Sequence, residues 1–119
     1  MTEDRIRELI QKALDRHHEG RSADEVLADI EAGHAFPFYG KDSVLIATLH
    51  DEPAGLRAHG WVAAGKLSEL MGTLGPFAIA WAREMGARLI TIEGRRGWAR
   101  VMKRRMGFEE LSVKLGLKL

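Results

Sequence analysis

Arg95, Arg96, Arg100, Lys103, Arg104 and Arg105 fall within eleven residues that contain no acid, with Trp98 among them. Guanidinium and ammonium groups at this density form a surface of the kind that grips a cofactor phosphate, nucleic acid or an acidic protein subunit; a plainly solvated helix face is the competing reading. Trp98, Val101, Met102 and Met106 stand at i, i+3, i+4 and i+8, one apolar stripe, which favours Trp98 as a core anchor over a base-stacking platform. Gly94 and Gly97 bracket Arg95 and Arg96, where glycine permits a tight strand-to-helix turn or close backbone approach to a ligand, and Arg95 lies within pairing reach of Glu93. Arg95, Arg96, Trp98, Arg100, Lys103 and Arg104 are therefore the expected partner-contact residues.

Other chemistries are poorly served. With no cysteine among 119 residues, disulfides, thiolate metal sites and a cysteine nucleophile are excluded. His17 and His18 are adjacent, so on a helix they point about 100° apart, and neither has a ligand partner at i+4; no metal site is expected. Charge is uneven: residues 1–82 carry 8 basic and 13 acidic side chains, net −5, and residues 83–119 carry 10 and 4, net +6. A basic last third is compatible with phosphate contact. Met1 to Arg7 alternates acid and base, and no apolar run is long enough to span a bilayer, which predicts a cytoplasmic product without membrane attachment.

The elements that must position these residues follow from periodicity and punctuation. The length suits one domain, 1–119, divided into a helical N-terminal segment, 1–33, and a sheet-containing core, 34–119. Ile6, Leu9, Ile10, Ala13 and Leu14 predict a first helix from Thr2, its cap, to Glu19, with Gly20 as the stop. Ser22 with Glu25 forms a capping box for a second helix bearing Val26, Leu27 and Ile30. Phe36-Pro-Phe-Tyr39 is too short and proline-broken for a central strand; Ser43 to Leu49 reads as a buried strand and Leu56 to Ala63 as its hairpin partner. A turn through Gly72, Gly75 and Pro76 precedes a helix from Phe77 to Gly86, with Pro76 in its first turn. Arg88 to Glu93 is a strand, Trp98 to Met106 a basic helix, and Phe108 to Leu119 one last strand. This order predicts an α/β fold, a mixed sheet flanked by helices.

Ala82-Arg-Glu-Met-Gly86, an apolar strand, and a helix closed by Gly107-Phe108 resemble the acetyl-CoA-binding half of the GNAT acetyltransferase superfamily. The resemblance implies a truncated GNAT-like sheet and a glycine-rich loop whose helix N-terminus holds a pyrophosphate. The corresponding stretch is Leu70 to Pro76, so Gly72, Thr73 and Gly75 would be the cofactor-binding residues if acetyl-CoA binds; a tight structural turn is the alternative. Departures are plain: Glu69 stands three before Gly72, where the family has Arg or Gln, Pro76 removes a donor, and Lys103 stands where a tyrosine would protonate the leaving thiolate. No catalytic base is identified; Glu93, His50 and His59 are nearby titratable groups without a fixed family signature.

The closer resemblance is to small phage-encoded GNAT-like proteins, through Gly65-Lys-Leu-Ser-Glu-Leu70, Ala82-Arg-Glu-Met-Gly86 and Gly94-Arg-Arg-Gly-Trp-Ala-Arg100. It covers about residues 31–117 and departs at Lys66, where those proteins carry an acid. The resemblance alone assigns no role; taken with the missing tyrosine and the missing phosphate-loop pattern, it leads to the expectation of a non-catalytic structural or docking role, as a virion component or in the host cytoplasm, with no cofactor and with a protein partner, other virion proteins or a homo-oligomer. Nucleic acid on the basic last helix is the less favoured partner. The alternative it leaves open is an acetyl-CoA-dependent N-acetyltransferase with a divergent cofactor loop.

Overall fold

Local chemistry starts both N-terminal helices. In the computed structural model, which describes residues 1–17, 20–92, 102–111 and 114–119, α1 (Glu3–His17) opens on Thr2. Thr2 Oγ1 accepts the Arg5 N–H at 3.2 Å, while Glu3 and Asp4 put negative charge at the positive end of the helix. Ser22 and Glu25 complete the predicted capping box of α2 (Ala23–Glu31), with Ser22 Oγ accepting the Glu25 N–H at 3.2 Å. Gln11 Oε1 accepts the Ala23 N–H at 2.9 Å and so ties the two helices together. Their apolar stripes, with Leu9, Ile10, Leu14 and Val26, pack on Val44, Ile46, Val62 and Ala64 of the sheet. Full burial of one such side chain is worth about 1.5–3 kcal/mol.

Among the described residues six strands form one mixed sheet: β1 (Phe36–Tyr39), β2 (Val44–Glu52), β3 (Gly55–Ala64), β4 (Leu89–Ile92), β5 (Glu109–Leu111) and β6 (Lys114–Lys118). Their order is β1-β2-β3-β4-β6-β5, and only the β3–β4 pair is parallel. Phe36–Tyr39 is a strand after all, at the sheet's edge, where Pro37 interrupts no ladder on its outer side. The last stretch is also corrected: instead of one strand from Phe108 to Leu119, Glu109–Leu111 folds antiparallel onto Lys114–Lys118, and the latter pairs with β4. Leu111 pairs with Lys114, a register that alternation alone cannot distinguish from a continuous strand.

The largest difference from expectation lies between β3 and β4. Instead of a loop, the chain runs from α3 (Leu67–Glu69) through a π-helical turn (Leu70–Leu74) directly into α4 (Gly75–Glu84). The Gly75 N–H reaches back five residues to the Leu70 carbonyl. Proline crowds the turn before it and donates nothing, and the widened turn lets the helix reach Pro76 without ending. Leu70, Leu74 and Ala78 pack against Leu45 and Phe38, and this burial carries the helix through two glycines. Trp81 on α4 lies against Phe36 and Phe38 of the edge strand, with ring centroids 5.0 and 5.5 Å away.

The β2–β3 register shifts at Ile46/Ala47: Ile46 faces Val62 and Ala47 faces Gly60, so Trp61 is an extra residue, a β-bulge. The described β3–β4 pairs run from Arg57↔Leu89 to Gly60↔Ile92, ending immediately before that bulge.

Candidate functional site

The expected phosphate loop is corrected first, because Gly72, Thr73 and Gly75 stand inside the helix that starts at Leu67. Gly72 and Thr73 are exposed on its surface, and the Gly75 amide is bonded within the helix. A Cβ at Gly75 would come within 2.8 Å of the Leu70 carbonyl and 3.1 Å of Met106 Cε, so this glycine serves close packing. The sequence held the signal: Leu67, Leu70, Met71, Leu74 and Ala78 keep helical period straight across the glycines.

The true strand-to-helix junction is Gly65-Lys66, and a neighbouring turn is fastened to it. Glu69, in the first helical turn, accepts the Lys41 N–H at 2.7 Å and the Asp42 N–H at 2.9 Å. Ser43 Oγ accepts the Lys66 N–H at 2.9 Å, and Lys66 Nζ pairs with Asp42 at 3.1 Å. The Ser43 hydroxyl, then the Asp42 and Lys41 amides, hold the Glu69 carboxyl below its ordinary value of 4.5. Gly40 makes room for it, since a Cβ there would sit 2.5 Å from Glu69 Cδ. The acid that looked out of place in a phosphate loop is thus the clasp between the β1–β2 turn and the helix.

Beside the described β3–β4 pairs, a cavity of about 50 Å³ lies between the sheet and the helices. Ala47, Gly60, Ile90, Met71, Ile79, Met102, Met106 and Phe108 are among the side chains that line it, almost all of them apolar. An open groove of about 720 Å³ runs beside it, between the helix and a helical segment at 102–106. Met71, Ile79, Met106 and Leu117 supply its apolar surface, with Ser68, Gly72, Pro76, Arg83 and Arg105 around them.

The opposite sheet face carries a polar row beyond the reach of α1. Arg57 Nη1 donates to Thr91 Oγ1 at 2.8 Å, and Thr91 Oγ1 shares a further hydrogen bond with His59 Nδ1, also at 2.8 Å. Arg57 also pairs with Glu52, and Thr48 Oγ1 shares a 2.8 Å hydrogen bond with His50 Nε2. The His50 and His59 rings are 6.3 Å apart in an edge-on arrangement. Among the described residues no group of three His, Cys, Asp or Glu side chains converges to hold a metal ion.

Of the expected contact residues, Arg95, Arg96, Trp98 and Arg100 lie outside the described residues, as do Glu93 and His18. Lys103 and Arg104 are exposed on the 102–106 helix together with Arg105, while Met102 is buried beneath them. Arg83 is the residue that sequence reasoning missed. It meets Arg105 across the groove from 22 positions away, a juxtaposition no local pattern reveals. Among the described residues no helix is long and apolar enough to cross a membrane. No protein-family model and no curated protein matches this sequence.

Proposed function

We propose that the chain is a divergent, truncated GNAT-like domain that acts as a non-catalytic docking component of the virion, of the phage-encoded kind its motifs resemble. The fold part of this reading is supported by the order of elements: β3 runs straight into a helix, β4 follows, and the 102–106 helix closes on Gly107-Phe108. Fold alone assigns no activity. The observation that carries the functional part is the Glu69 carboxylate. It stands in the first turn of the helix entered from β3, where the family would offer amides and a positive dipole end to a pyrophosphate. An ionised carboxylate there repels a diphosphate, and its bonds to the 40–43 turn keep it in place. Lys103 in place of the family's tyrosine points the same way.

Calorimetric titration with acetyl-CoA at low salt tests the reading, which expects no saturable binding tighter than about 100 μM. Stoichiometric recovery of the chain from purified virions is the result expected of the structural role.

One observation favours the second reading, an N-acetyltransferase with a divergent cofactor site. The apolar cavity lies against Gly60 of β3 and Ile92 of β4, the last of the described parallel pairs, on the C-terminal side of which ligands of parallel sheets commonly bind. A saturable acetyl-CoA isotherm in the same titration would favour it.

A further inference from the structure

The groove between α4 and the 102–106 helix brings together guanidinium groups without carboxylate partners among the described residues and partly buried apolar side chains. Pro76, Ile79 and Arg83 succeed one another along a single helical stripe, and Arg105 and Met106 face them from the other side. Neither Arg83 nor Arg105 has a carboxylate partner among the described residues, and both are exposed. Arg5, Arg7, Arg21 and Arg57, by contrast, are each engaged by a carboxylate of this chain. One stripe over, Phe77 is 62% exposed, which extends the apolar surface past the rim.

Resting on the docking reading, we propose that this groove receives an acidic amphipathic helix of another protein, its apolar side chains on Ile79 and Met106 and its carboxylates on Arg83 and Arg105. The arginine fork matches a carboxylate with two parallel hydrogen bonds. Methionine lining adapts to varied apolar side chains, and a volume of about 720 Å³ takes a few such anchors rather than a whole helix. A nucleic-acid strand would satisfy the arginines but leave the apolar floor without a partner. A second copy of this chain is the less favoured occupant, because Asp24, Glu25 and Asp29 of α2 are already engaged by Arg7 and Arg21.

The test is fluorescence polarisation with a labelled peptide of about 15 residues, Leu at i, i+3, i+4 and i+7 and Glu at most other positions. A peptide of the same composition with scrambled leucines and a labelled single-stranded oligonucleotide run beside it. The patterned peptide is expected to bind with a Kd below about 100 μM at low salt. Binding should weaken by about tenfold or more in the R83E/R105E double variant, and less in Arg83→Gln/Arg105→Gln. Both arginines are exposed, and an unchanged circular dichroism melt establishes that the variants fold.

Equal binding of the scrambled peptide, displacement by the oligonucleotide, or an unchanged affinity in the double variant overturns the proposal. So does salt-sensitive self-association of the protein that the double variant abolishes, since a second copy would then fill the groove. Acetyl-CoA is titrated into the same preparation: binding there removes the docking reading itself, whereas peptide failure without acetyl-CoA binding removes only the groove.

Discussion

The two faces of the sheet differ in how completely they are satisfied. On one, α1 and α2 cover Val44, Ile46, Val62 and Ala64 with a continuous apolar layer, and their surface charges answer one another: Arg7 with Asp24, Arg21 with Asp29, Lys12 with Glu8. On the other, the helices leave an apolar cavity beside β4, an open groove, and Arg83, Arg104 and Arg105 without carboxylate partners among the described residues. The contrast divides the labour of the molecule. The first face supplies stability, and the second carries cationic groups that no carboxylate of the described residues engages, beside partly buried apolar side chains.

Core truncation should break the symmetry most strongly. Ile10 is fully buried in the α1/α2 layer, so Ile10→Ala should cost about 3–5 kcal/mol in urea unfolding. Met102 already borders empty space and gives up fewer contacts, so Met102→Ala should cost about 2 kcal/mol. Equal losses would mean that both layers are packed alike.

A smaller, pH-dependent effect should come from the clasp. Glu69 is held below 4.5 in the folded protein, so the unfolded chain takes up its proton more readily. Its contribution is complete above 4.5 and disappears as pH falls through the lower folded value. Thermal melts should therefore show Glu69→Gln less stable than wild type at neutral pH, with the gap closing in acid. A gap that persists at the lowest pH would assign the loss to something other than the carboxylate's charge.

The smallest effects sharpen the comparison at the surface. Arg21 pairs with Asp29 at 2.8 Å and lies 4.9 Å from the Trp61 ring centroid, so Arg21→Ala should cost about 0.5–1 kcal/mol. Arg83→Gln should change stability by less than about 0.5 kcal/mol, because Arg83 is exposed and no carboxylate of the described residues engages it, leaving only its weak interaction with the C-terminal end of the α4 dipole. A larger loss from Arg83→Gln would place it in the protein's own framework and not on a binding surface.

What the sequence made legible was local. The Thr2 cap, the Ser22–Glu25 box and the β2–β3 hairpin each depend on residues a few positions apart, and each forms as read. The helix across Gly72, Gly75 and Pro76 was not legible by that route. Punctuation residues argued for a loop, while burial of Leu70 and Leu74 against a distant strand decided the matter. Glu69 was read by charge alone as an obstacle to phosphate, since its partners Lys41 and Asp42 lie 28 and 27 residues away. The groove is non-local in the same sense, with Arg83 and Arg105 brought together only by the packing of two helices against one sheet.

The most direct test of the central claim, that this scaffold docks and does not bind the acetyl donor, is calorimetric titration of acetyl-CoA into wild type and Glu69→Gln in parallel. The account predicts no saturable heat from wild type at ligand concentrations up to about 1 mM. A one-site isotherm with a Kd tighter than about 100 μM in the wild-type protein would contradict it.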